Sequence, residues 1–182
     1  MKTKKSILYI TQTAVMLALL IVLQFVTASL GQLVTGSIVN LILLTSLFLI
    51  GFGSGLTIGL ISPFLAFFLG IPGILPVVPF IAVGNAILVT VAWLVRKPML
   101  ASGTKNKAVS VAGLIAASAA KFLFLWIGLT KIALPLLGLT SGQMSKVTVM
   151  FAWPQMVTAL IGSALALIIV NLLKNTRLTG RN

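Results

Sequence analysis

Polar and apolar positions in this chain fall into blocks: long apolar runs are separated by short polar or turn-forming stretches. A helix needs about 20 predominantly apolar residues to cross a bilayer, and six such runs are legible. The first covers roughly residues 7 to 28, entered from Lys2, Lys4 and Lys5. The second, 37 to 53, opens at Ser37 after Gly36 and closes on Gly51-Phe52-Gly53. A short third run, 55 to 70, contains Pro63. The fourth, 77 to 95, follows the turn-rich stretch from Gly70 to Pro76. After a polar connection over 96 to 107, the fifth run spans 108 to 130 and the sixth 149 to 173. Between these last two lies an expected loop holding Pro135, Gly138, Gly142 and Lys146. The pattern predicts an all-α, polytopic membrane protein, with six transmembrane helices in one bundle formed by a single domain over 1–182.

Charge orients that bundle. All thirteen charged residues are Lys or Arg, and Asp, Glu and His are absent. Lys and Arg near helix ends resist translocation, so cytoplasmic loops accumulate them. With six crossings and both termini cytoplasmic, Lys2, Lys4, Lys5, Arg96, Lys97, Lys105, Lys107, Lys174, Arg177 and Arg181 fall inside, and Lys131 and Lys146 outside. Five or seven crossings would put one terminal cluster on the wrong side. The opening MKTKK with its apolar run mimics a signal peptide, but the run is longer than a typical h-region and more segments follow. It is expected to be a retained helix. The +13 balance therefore reads as topology and not as a nucleic-acid footprint.

The same composition excludes much chemistry. Carboxylate pairs, Ser-His-Asp triads and His or carboxylate metal sites need side chains this chain lacks, and zero Cys removes thiolate chemistry. No GxxxxGK[ST] loop is present for nucleotide phosphates. Neither an enzymatic activity nor a cofactor is expected.

Lys121 stands out within Ala119-Ala120-Lys121-Phe122-Leu123. At 1.5 Å per residue it lies roughly 20 Å into the membrane from residue 108. A lysine there either snorkels to the outer interface, or faces a ligand, another chain or a watery cavity. Asn40, Asn85 and Gln155 fall at similar depth, and Trp126 and Trp153 are positioned to add stacking surface. Together they form a candidate small-molecule site, although each amide alone also suits interhelical hydrogen bonding. Gln24 reads as interhelical glue. The apolar, turn-rich stretches Leu30–Gly36 and Gly70–Pro79 are expected to fold back over the bundle as lids. In the first run Ala14 and Ala18 form an AxxxA pair, which serves either packing inside the bundle or association with a partner helix. Other small-residue stripes, such as Ala112, Ala116 and Ala120 or Thr158, Gly162 and Ala166, are expected packing seams.

In its length, six runs, basic ends, AxxxA pair and Pro/Gly-rich connection before the fourth run, the chain resembles the substrate-binding S-components of energy-coupling factor (ECF) transporters, the bacterial vitamin importers. The stretches GQLVTGSIVN, SPFLAFFLGIP, VPFIAVGNA and FAWPQMVTALIG carry the same likeness. The resemblance implies a multi-pass protein of the bacterial cell membrane that binds a vitamin near the outer surface, at residues such as Asn40, Asn85, Lys121, Trp126, Trp153 and Gln155. It also implies that Ala14 and Ala18 dock against a transmembrane coupling subunit, itself joined to two cytoplasmic ATPases. Lys121 favours an anion such as pantothenate, whereas a wide apolar pocket with amides favours cobalamin. A stand-alone small channel or secondary transporter is the alternative, and the lack of carboxylate relays argues against proton or sodium coupling.

Overall fold

The computed structural model describes residues 2–71, 74–96 and 104–179. Most of the 96–107 connection, Pro72 and Gly73 of the expected second lid, and Arg181 lie outside the described residues. So do the side chains of Lys2, Lys105, Lys107, Lys174 and Arg177.

Every regular element among the described residues is helical. The helices are α1 (Lys2–Thr27), α2 (Gln32–Leu49), α3 (Phe52–Phe68), α4 (Val78–Leu94), α5 (Thr104–Leu123), α6 (Ser141–Phe151) and α7 (Trp153–Thr179). From Phe124 to Ala133 the α5 chain continues as a wider π-helix, and then tightens into a 3-10 turn at Leu134–Leu136. Five helical stretches are long and apolar enough to cross a membrane, and α3 is a shorter apolar helix of 17 residues.

Several boundaries differ from the sequence expectation. Helix α2 begins at Gln32, five residues before Ser37, because the turn is made by Gly31 at φ 85°, a left-handed conformation suited to glycine. Gly36 is thus inside a helix, and the expected lid over Leu30–Gly36 is a helical turn plus the start of α2. The expected loop before the sixth run contains α6. Its start is fixed by a capping box in which the Thr140 hydroxyl accepts from Gln143 N–H and the Gln143 side chain accepts from Thr140 N–H. The described part of Gly70–Pro79 packs inward through Ile74, Val77 and Val78.

Helix α2 is central. It packs most extensively on α7 and also touches α1, α3 and α4, while α5 packs between α4 and α7. The α2–α7 seam is close because Gly162 has no side chain: a Cβ there would stand 2.6 Å from Asn40 Cβ and 2.8 Å from both Leu41 N and Ser37 O. The expected Thr158–Gly162–Ala166 seam is therefore observed. In contrast, Ala112 and Ala116 face outward, and the seam of α5 runs through Gly113 and Ala117, one position later. In lipid such close approach supplies van der Waals contact, which drives helix association where the hydrophobic effect does not.

Two apolar clusters make the core. One joins Leu20, Leu43, Leu44, Ile58, Leu88 and Leu114, all at most 2% exposed. The other joins Ile74, Val77, Leu125, Leu129, Val147 and Phe151. Where one helical stretch reaches both clusters, a polar position separates them. On α5, for example, Leu114, Ala117, Lys121 and Leu125 follow one another at intervals of three and four residues on the same inward face. The lysine thus occupies a core register.

Candidate functional site

Such polar positions form a layer that lines a cavity at one end of the bundle. Its walls come from the second half of α1 (Gln24), the first half of α2 (Asn40), the end of α3 (Ser62), the first half of α4 (Asn85), late α5 (Lys121) and the start of α7 (Gln155). All of these lie at the end where α1 joins α2 and α3 joins α4, opposite the N-terminus. The cavity itself is about 60 Å³, opening into a wider mouth that brings the total empty space to about 560 Å³ with adjoining solvent.

Lys121 is the centre of the layer. Only 3% of its surface is exposed. Its Nζ donates to Asn40 Oδ1 at 2.6 Å and to Asn85 Oδ1 at 2.8 Å. The side chain therefore does not snorkel to the interface. Placing a lysine at the centre of a membrane helix costs about 2.5–3.5 kcal/mol on insertion scales. Hydrogen bonds to a charged group return about 1.5–3 kcal/mol each, so two of them offset that cost without any carboxylate.

Both amides are held so that their oxygens face the lysine. Asn85 Nδ2 donates to the Gly59 carbonyl on α3 at 3.2 Å. That carbonyl is free because its usual partner in the helix would be the N–H of residue 63, and Pro63 has none. The absent side chain at Gly59 completes the arrangement, since a Cβ there would stand 3.3 Å from Asn85 Cβ. On the other side Asn40 Nδ2 makes a long 3.5 Å contact to Thr158 Oγ1, and that hydroxyl donates to Gln155 O at 3.1 Å. Through these bonds Lys121 ties α5 to α2 and α4, and through the amides to α7 and α3. Asn40 and Asn85 thus bond between helices and face the cavity at once.

Of the expected site residues, Asn40, Asn85, Lys121 and Gln155 come together here, each at most 4% exposed. Trp126 and Trp153 do not. They are 38% and 62% exposed and neither lines the cavity. Trp126 instead stacks on Phe122, with ring centroids 5.9 Å apart, and has Lys131 Nζ 5.7 Å from its own centroid. The spacing already contains the reason. Trp126 is five positions from Lys121, and Trp153 is two positions from Gln155, which turns it to the far side of α7.

Gln24, read from sequence as glue, lines the cavity with Gln32, Thr35, Ser62 and Phe151. The signal that finds Gln24 is the inward stripe of α1, where Thr13, Leu20, Gln24 and Thr27 recur at helical spacing. Its Oε1 and the Ser62 Oγ are buried without a hydrogen-bond partner.

Ala14 and Ala18 lie on the opposite face of α1, both exposed, beside Val15, Leu19, Val22 and Phe25. Packing inside the bundle does not account for this AxxxA pair. No family model matches the chain, and neither does any curated protein or solved structure.

Proposed function

We propose that this chain is the substrate-binding subunit of an ECF-type importer in a bacterial cell membrane, an S-component that takes a vitamin from outside and delivers it through a coupling subunit and two ATPases. The observation that carries this reading is the cavity built around buried Lys121, a cation that no carboxylate of the chain is present to neutralise. In this reading, with six crossings and cytoplasmic termini, the cavity mouth faces the outer side, because it opens at the end of the bundle away from the basic N-terminus. Cobalamin and pantothenate are the leading ligands.

The exposed small face of α1 supports the docking half of the proposal. Ala14 and Ala18 let a partner helix approach closely, as small-xxx-small pairs do in lipid. A stand-alone channel fits less well, since a fully buried layer that includes Leu20, Leu43, Leu44 and Leu88 lies on the terminal side of the cavity.

Co-purification tests this reading. The full chain, co-expressed with an ECF coupling subunit and its ATPases, is expected to elute as a stoichiometric complex. The Ala14→Trp/Ala18→Trp variant should lose the complex while keeping its own thermal unfolding temperature, because both positions face outward. Absence of a complex with the unaltered chain would sink the proposal.

A further inference from the structure

The chemistry of the ligand follows from two independent features of the cavity, given that the cavity is the substrate site. The first is its charge. Among the described residues Lys121 is the only charged side chain lining it, and the chain contains no Asp or Glu. Asn40 and Asn85 accept two of the three ammonium protons, but amide oxygens bring dipoles and no net charge. One positive charge thus remains without a counter-ion in apolar surroundings. A neutral occupant leaves it so, and a dianion introduces a second charge that nothing meets.

The second feature is a pair of acceptors. Gln24 Oε1 on α1 and Ser62 Oγ on α3 line the same cavity, are buried, and have no hydrogen-bond partner. A carbonyl oxygen only accepts, so what completes Gln24 is a donor. These two groups sit on α1 and α3, whereas the lysine and its amides sit on α5, α2 and α4. The cavity therefore has a cationic wall and an acceptor wall. Residues such as Val39, Ala66 and Ile81 add apolar surface to its lining.

We propose that the occupant is a small monocarboxylate carrying a hydroxyl or amide N–H away from its acid group, with the carboxylate on Lys121 and the donor on Gln24 and Ser62. Pantothenate has this chemistry, as does biotin with its ureido N–H groups. Cobalamin, which has no free carboxylate, does not.

Titration calorimetry on the full chain in nanodiscs, with matched acid and neutral probes, tests the assignment: pantothenate against panthenol, biotin against biotinamide, with nicotinate as a carboxylate lacking a donor and cobalamin as a ligand lacking a carboxylate. At least one of the two donor-bearing acids should bind ten-fold or more tightly than its neutral counterpart and than nicotinate. Lys121→Met should erase the acid preference. Asn85→Asp should do the same, because it places a carboxylate where an amide oxygen now stands 2.8 Å from Nζ, although it gives up the bond to the Gly59 carbonyl. Gln24→Leu should weaken acid and neutral members alike by about ten-fold, the worth of one hydrogen bond, leaving their ratio unchanged.

Equal affinity for acid and neutral members, preferred binding of cobalamin, or an acid preference that survives both Lys121→Met and Asn85→Asp overturns the inference while the importer reading stands. If no probe binds but the complex with the coupling subunit forms, the ligand assignment is wrong and the docking assignment survives. If neither occurs, both are wrong.

Discussion

Gly162→Ala adds one methyl group where the bundle has no room for it. The new Cβ would sit 2.6 Å from Asn40 Cβ and 2.8 Å from Leu41 N and Ser37 O, whereas comfortable contacts between carbon atoms are about 3.5–4.0 Å. Two of the three neighbours are backbone atoms, so no change of rotamer relieves the clash, and α2 and α7 must separate by about 1 Å at this point. Overpacking of this kind costs about 1–3 kcal/mol. For a chain of this size each kcal/mol moves the unfolding midpoint by about 2–4 °C, so a fall of roughly 2–12 °C is expected. Thermal unfolding followed by tryptophan fluorescence in one detergent measures it. Gly142→Ala serves as the control, because a Cβ at that position meets nothing within 4 Å, and an unchanged or slightly raised midpoint is expected. Should Gly162→Ala unfold at the same temperature as the Gly142 control, the close α2–α7 seam does not exist as described. The same substitution displaces Asn40, so affinity for the proposed ligand should fall together with the midpoint.

Two other positions make separate tests. A Cβ on Gly113 would meet Val95 Cγ2 at 2.5 Å and Val95 Cβ at 2.8 Å, so Gly113→Ala should destabilise the chain and Val95→Ala/Gly113→Ala should recover most of the loss. A double-mutant cycle in thermal unfolding reads the coupling, expected at about 0.5–3 kcal/mol, and strict additivity would falsify the contact. Removing the capping box with Thr140→Ala should cost about 1 kcal/mol and speed hydrogen exchange in the first turn of α6, with Lys121 and its amides unaffected; exchange identical to the unaltered chain there would refute the cap.

What the sequence made legible was whatever interrupts an apolar run with a polar side chain. Lys121, Asn40, Asn85 and Gln155 all announce themselves that way, and their common depth follows from counting residues along antiparallel helices. Facing was harder. The AxxxA pair at Ala14 and Ala18 has the same spacing whether it packs inward or outward, and only the neighbouring stripe of Thr13, Leu20, Gln24 and Thr27 decides between them. Trp126 and Trp153 share the depth of the site, but their side chains face away from it. A glycine in the sequence does not by itself mark a boundary. Gly36 is helical because Thr158 Cγ2 fills the space beside it, 3.0 Å from where a Cβ would stand, and a partner 122 positions away is invisible to a local pattern. Helix α6 starts at a Thr140-to-Gln143 capping box inside a stretch where Gly138 and Gly142 by themselves suggest a loop. The widened helix over Phe124–Ala133 has no local sequence signal that we recognise.

Asn40 with Gly162 and Asn85 with Gly59 and Pro63 are two small sets of positions that tolerate change only together. A residue with a side chain at 162 strands Asn40, and any residue but proline at 63 returns an N–H to the Gly59 carbonyl and takes it from Asn85. Among descendants of this chain that keep a lysine at 121, these five positions should drift as two linked groups, so that historical substitutions in them arrive in pairs or not at all. A lineage that trades the lysine for an apolar residue releases both groups at once, and the helix break at 63 then becomes free to heal.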